Sequence, residues 1–163
     1  MVASSQTAGM GRRGRQWLSP KNAGLYFSLT RSFPLEASAL QSLSLVTAIS
    51  VVEALHELGA AKLTLKWPND VLYEKRKLGG ILLELQLKEA TRFLVFGIGV
   101  NINLPADSIA SIDRPVVDLQ GIVGELPTPE ALLAATLDQP RSNVVSRDGI
   151  RLCKFSRCWH SPV

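Results

Sequence analysis

The chain has 163 residues, 46% hydrophobic and 20% charged, the size and balance of one globular domain and not of a disordered or fibrous protein. No apolar run reaches the roughly 18 residues of a membrane helix. Met1 to Arg15 contains no hydrophobic stretch like that of a signal peptide. Two cysteines, Cys153 and Cys158, make no disulfide framework, so a reducing cytoplasm is expected.

The net charge of +4 is segregated: residues 1–35 hold five basic and no acidic side chains, residues 36–138 hold 8 Lys/Arg against 13 Asp/Glu, and residues 139–163 hold five basic side chains and Asp148. A nucleic-acid reader usually carries its charge as a stripe across the folded body. Here the tightest group is Arg12-Arg13-Gly14-Arg15, set among glycines, which suits one small anion better than a polyanion.

In chain order, residues 4–22 predict a loop, rich in glycine and without a period. Leu25–Thr30 is a run of β-formers and predicts a strand. From about Glu36 to Leu58, Leu40, Leu43, Val46, Ile49, Val52 and Leu55 recur at helical spacing, and Gly59 supplies a stop. Leu63, Leu65 and Trp67 alternate with Lys62, Thr64 and Lys66 as in a half-buried strand ended by Pro68. Val71–Tyr73, a turn at Glu74–Arg76, and Lys77–Leu87 predict a hairpin.

Arg92–Leu104 predicts a further strand, with Leu94, Phe96, Ile98, Val100, Ile102 and Leu104 on one face and Gly97, Gly99, Asn101 and Asn103 on the other. Val116–Val123 is expected as a short helix, and Thr128 as the N-cap of a helix from Pro129 to Leu137 that Pro140 stops. The expected fold is α+β, a mainly antiparallel mixed sheet packed against helices. Residues 1–106 would form the main body of the domain, 107–138 its C-terminal helical part, and 139–163 an atypical basic tail.

Four constellations carry chemistry. Gly9 to Trp17 interleaves glycines, which let backbone N–H groups approach a ligand, with arginines suited to phosphate or carboxylate, and Trp17 adds a flat face. The bland alternative is a solvated basic loop; the glycine order fits neither a dinucleotide fingerprint nor a P-loop. Lys66-Trp67-Pro68-Asn69-Asp70 leaves an amide and a carboxylate at a strand end, alternatively a plain Asn-Asp turn.

Arg76-Lys77-Leu78-Gly79-Gly80 sets a lysine beside two glycines that clear room, with Lys75 and Arg76 as solvated turn residues. Gly97-Ile98-Gly99-Val100-Asn101 forms a notch for a planar group, with Asn101 placed to read its edge; alternatively it is a strand packed tightly on a helix.

In this order and spacing, Gln6 to Trp17, Lys66 to Asp70, Arg76 to Gly80 and Gly97 to Asn101 resemble the motif series of the biotin protein ligases, over roughly residues 4–105. The resemblance implies ATP-dependent ligation of biotin to a lysine of a biotin carboxyl carrier protein, an acetyl-CoA carboxylase subunit, through biotinyl-5′-AMP. Biotin, ATP and Mg²⁺ are the implied ligands. Lys77 and Arg12 would be catalytic. Gln6, Met10, Gly11, Arg12, Arg13, Trp17, Asn69, Lys77, Gly80, Gly99 and Asn101 would bind biotin and adenylate, with Trp17 near the adenine and Asn101 reading it. Asp70 would meet Mg²⁺.

Met10 stands where the family loop usually carries arginine. The start before Gln6 lacks the family's earlier biotin-contacting segment, and the family's small C-terminal β domain is not recognisable. These departures set a second expectation, a catalytically impaired remnant that binds biotin or nucleotide weakly. Neither a DNA-binding domain nor membrane association is expected, and a homodimer is left open. Lipoate ligation is the nearest enzymatic alternative, against which Lys66 to Asp70 speaks. A single-strand nucleic-acid binder would need more aromatic platforms than Trp17. A metal site at Cys153, Cys158 and His160 is not expected.

Overall fold

The computed structural model of the chain describes residues 1–32, 40–88 and 91–138. Its elements are β1 (Val2–Ala3), β2 (Gly24–Ser32), α1 (Leu40–Glu57), β3 (Leu63–Lys66), β4 (Asp70–Tyr73), β5 (Arg76–Lys88), β6 (Thr91–Asn101), α2 (Ala106–Ser111) and α3 (Pro129–Asp138). The six strands form one sheet in the order β1-β2-β6-β5-β4-β3, with every neighbouring pair antiparallel. This is the α+β architecture expected from the strand and helix pattern. The expected tail, with Cys153, Cys158 and His160, lies outside the described residues, as do residues 36–39 of the expected first helix. No described helix is long and apolar enough to cross a membrane.

Strand periodicity divides the sheet into two faces. Leu25 and Phe27 of β2 pair with Val100 and Ile98 of β6, and Ile98 pairs onward with Ile81 of β5; all are buried. Helix α1 packs across β3, β4 and β5 and lays Val51, Val52 and Leu55 into this core. Burying each such side chain contributes about 1.5–3 kcal/mol. Gly59, at φ 93, ends the helix: its N–H donates to His56 O at 3.0 Å, and Ala60 N–H donates to Leu55 O at 2.9 Å. Only glycine takes that backbone turn without steric cost. Helix α3 packs on α1 and β2, and Thr128 Oγ1 caps it by accepting from Ala131 N–H at 3.1 Å.

Three expectations are corrected. First, β6 leaves the ladder at Asn101 and does not run to Leu104. Ile102 and Asn103 both donate to Ala23 O, and Leu104 N–H donates to Asp118 Oδ2 at 2.8 Å. Second, residues 116–123 are not a regular helix. Val116 forms a parallel bridge with Lys77, and Asp118 then caps a short 3-10 turn at Leu119–Gly121 by accepting from Gly121 N–H at 3.1 Å. Third, Trp67 does not continue the buried face of β3. The strand stops at Lys66, a cis bond joins Trp67 to Pro68, and the indole is 56% exposed. In addition, the short helix α2 follows Pro105, where no element was expected.

On the other face, Tyr26 is only 2% exposed, and its hydroxyl donates to Pro20 O at 3.5 Å. Desolvation by burial pushes its pKa from 10.0 up to about 12. The phenol therefore stays neutral in the folded chain where an unfolded chain would ionise. The stability this confers is complete below the unfolded pKa and is lost as pH rises through the folded value. Denaturant titrations between pH 9 and 12 should show stability falling across the upper part of that range, and Tyr26→Phe should flatten the fall. An equal slope in the two proteins would contradict the assignment.

Candidate active site

The site is built on the face of the sheet opposite α1. Asp70 pairs with Gly80, and Gly80 with Gly99, which pairs with Tyr26, so one row of the sheet presents a carboxylate beside two side-chain-free positions. A Cβ on Gly99 would stand 2.8 Å from Trp17 Cε2 and 3.0 Å from Trp17 Nε1, and a Cβ on Gly80 3.5 Å from Trp17 Cζ3. The notch expected at Gly97 and Gly99 is therefore shifted: the indole of Trp17 lies over Gly99 and Gly80, and a Cβ on Gly97 would meet Leu82. Among the described residues, Trp17 Nε1 is buried without a hydrogen-bond partner. Such a donor costs about 1–3 kcal/mol while unsatisfied, which favours a ligand acceptor there.

The loop that delivers Trp17 is more ordered than its composition suggests. It folds back on itself through bridges between Gln6 and Ser19 and between Met10 and Gln16. Gly11 N–H donates to Arg15 O at 2.7 Å, and Trp17 N–H to Gly9 O at 2.9 Å. A Cβ on Gly9 would overlap the Trp17 carbonyl, so this glycine is required for the close approach. Gln6 Oε1 accepts from Ser19 Oγ at 2.6 Å at the base of the loop. Arg13 sits at its tip with φ 59, and both Arg13 and Met10 project into solvent. Arg12 turns toward the sheet, and its Nη1 donates to Asn69 Oδ1 at 3.5 Å. Asn69 in turn donates from Nδ2 to Ile81 O at 3.0 Å, tying the loop's contact point to β5.

Lys77 reaches this face through a β-bulge. Val71 pairs with Gly79 but Leu72 pairs with Lys77, so Leu78 is the extra residue. Without it Lys77 would share a face with Gly79 and Ile81, toward the core. The bulge reverses the parity and re-aims the side chain, a common use of such irregularities. Leu78 is fully buried. Lys77 Nζ donates to Asp70 Oδ1 at 2.7 Å and lies 5.2 Å from the centroid of the Trp17 ring. Lys75 and Glu74 are exposed in the turn, both with positive φ.

A segment that sequence reasoning did not single out holds Lys77 in place. Lys77 N–H donates to Pro115 O at 2.9 Å, and Val117 N–H donates to Lys77 O at 3.0 Å, so residues 115–117 form a strap along its backbone. Asn101, 4% exposed, fastens that strap: its Nδ2 donates to Val117 O at 3.1 Å and to Lys77 O at 3.4 Å. Ser44 Oγ of α1 donates to Pro68 O at 3.2 Å, anchoring the turn before Asn69 from the helical layer. The Asp118 cap, three residues ahead of Gly121, is the sequence signal that would have located the end of the strap.

Arg12, Trp17, Asn69, Asp70, Lys77, Gly80 and Gly99 thus form one constellation. Asn101 lies beneath it, Gln6 and Gly11 shape the loop, and Met10 and Arg13 stay outside. Among the described residues no three His, Cys, Asp or Glu side chains converge on a metal position, and Asp70 is paired with a lysine. These donors do not form a resident metal site.

The sequence profile of the Biotin/lipoate A/B protein ligase family matches residues 1–101. The chain belongs to this family, as part of a biotin protein ligase catalytic domain. It is 40% identical over 120 residues to the Bifunctional ligase/repressor BirA of Escherichia coli, an alignment that covers 73% of this chain and 37% of that protein. To the Biotin--[acetyl-CoA-carboxylase] ligase of Mycobacterium tuberculosis it is 35% identical over 123 residues, covering 73% and 45%. The biotin protein ligase of Aquifex aeolicus, solved in complex with biotin and ATP, superposes with a TM-score of 0.69 at 36% identity, over 85% of this chain and 56% of that one. The chain spans less than half the length of the two curated relatives.

Proposed function

We propose that this chain carries the adenylate-forming centre of a biotin protein ligase. The observation that carries the reading is the Lys77 ammonium held beside Trp17 above the Gly80–Gly99 notch. A flat ring and a cation side by side match the two parts of a nucleotide, base and phosphate. The binding of biotin and ATP by the Aquifex aeolicus relative supports the same assignment.

In the proposed reaction, the biotin carboxylate attacks the α-phosphorus of ATP, pyrophosphate leaves, and biotinyl-5′-AMP forms. The amine of a lysine on a biotin carboxyl carrier protein then attacks the mixed anhydride, loses its proton and releases AMP. Two anions meet at phosphorus, so the protein must supply positioning and positive charge, with no side-chain nucleophile. Lys77 supplies the charge at the α-phosphate and the biotin carboxylate. Arg12, held toward the site by Asn69, adds a second cation. Trp17 stacks on the adenine, and Asn101 supports the adenine side while its amide keeps the strap on Lys77. Gln6 and Gly11 form the biotin side of the loop, which shields the anhydride from water. A Mg²⁺ ion at this centre would take most of its oxygens from the phosphates of ATP, and no step is assigned to it.

Calorimetric titration tests the reading. Biotin should bind, and ATP should bind more tightly once biotin is present. Absence of heat with either ligand would overturn it.

A further inference from the structure

The Lys77–Asp70 pair raises a question of charge that the proposed reaction does not answer. Its ammonium and carboxylate are 2.7 Å apart, with side-chain exposures of 14% and 22%. Lys77 Nζ would lie only 3.4 Å from a Cβ on Gly80, and the Trp17 ring closes the space above Gly80 and Gly99. An anion that reaches Lys77 in this confined space must meet the Asp70 carboxylate at close range. Like charges at such separations repel strongly in a partly desolvated site. The ammonium has three donors but one charge, and that charge is already neutralised.

We infer that Asp70 is an internal competitor for Lys77, an ionic latch that holds the ammonium over the notch in the unliganded protein and that a phosphate-bearing ligand must displace. Asp70 is then a positioning residue with two effects. It keeps the long lysine side chain in one place, over Gly80 and under the indole. It also lowers the affinity for anions, so that only a ligand with enough other contacts opens the pair. Arg12, on the loop side of the same constellation, is held by a neutral amide at 3.5 Å and, among the described residues, faces no such competitor. The two cations of the site are therefore unequal: Arg12 is available on arrival and Lys77 only after exchange. This inference rests on the proposed nucleotide reading of the site.

The test is ATP binding measured in the presence of a chelator, so that no divalent cation contributes, for the wild-type chain and for Asp70→Asn. Removing the carboxylate should tighten ATP binding about tenfold. The gain should shrink as salt is raised and vanish in the Lys77→Gln/Asp70→Asn double variant when that is compared with Lys77→Gln. Asp70→Ser, which also removes the charge, should reproduce the gain if the asparagine variant is poorly folded. Structural damage weakens binding, so a gain in affinity cannot come from misfolding. Equal or weaker binding in both charge-removing variants, with thermal melts showing folded protein, would overturn the latch and leave the nucleotide site standing. ATP binding to neither the wild type nor the variants would overturn the site itself, and the latch with it.

Discussion

Replacing Lys77 with alanine should slow adenylate formation about a hundredfold, the cost of removing one donor from a developing oxyanion. The reason is positional. Lys77 sits behind a bulge that turns it out of the core, under a strap fixed by Asn101, and beside the ring that would hold the base. Among the described residues no other lysine has the same support, so its charge is not replaced by Lys75 or Lys66. Lys75, two residues earlier and exposed in the turn, has the same charge and none of these contacts. Lys75→Ala should leave the rate within about twofold, as expected of a surface substitution. The check is a single-turnover measurement of biotin-dependent adenylate on both variants. Equal losses would remove Lys77 from the reaction.

Three glycine-to-alanine substitutions should separate binding from stability. At Gly79 a Cβ would stand 2.8 Å from Gly99 O, a backbone atom of the neighbouring strand. The ladder must distort, and Gly79→Ala should cost about 1–3 kcal/mol of unfolding free energy. At Gly99 the Cβ would strike the Trp17 indole at 2.8 Å, a side chain on a loop. The ring can be displaced, so Gly99→Ala should weaken ATP binding by about tenfold, the loss of one stacking contact, and change stability much less. At Gly97 the nearest atom would be 3.5 Å away, an ordinary contact, and Gly97→Ala should be close to neutral in both measurements. Chemical denaturation and ATP titration on the three variants give the pattern. If Gly99→Ala lost stability and kept full ATP affinity, the indole would not be part of the nucleotide site.

Much of this arrangement was legible before the structure. The parity of residues 94–104 separated an apolar face from a glycine–asparagine face, because a strand alternates with period 2. The same reasoning located the Gly99 notch. Helical spacing and Gly59 located α1, since both are local properties of the chain. The bulge was not legible. Ile81, Leu83, Leu85 and Leu87 give a consistent alternation, and extending it back to Lys77 puts the lysine in the core. The inserted residue, Leu78, is apolar and resembles an ordinary strand position, so only the partner strand reveals the shift of register.

The strap at residues 115–117 was hidden for the same kind of reason. It is extended only because Lys77 offers it backbone partners, a contact remote in sequence. Trp67 was misplaced because β alternation was carried one residue past the point where the turn before Pro68 had already ended the strand. The loop at residues 6–19 lacked periodicity, yet its glycines allow the two arms to cross closely and pair. Asp70 and Asn101 show the remaining gap: the motifs offered both as ligand contacts, whereas the structure engages the first with Lys77 and the second with backbone carbonyls.

The central claim, that these residues join biotin to the α-phosphate of ATP, is tested most directly by isotope exchange. The chain is incubated with ATP, Mg²⁺ and labelled pyrophosphate, with and without biotin, and the label entering ATP is followed. The account predicts exchange that requires biotin, that lipoate does not replace, and that falls about a hundredfold in Lys77→Ala. Exchange independent of biotin, or none in a folded preparation that binds both ligands, would contradict it.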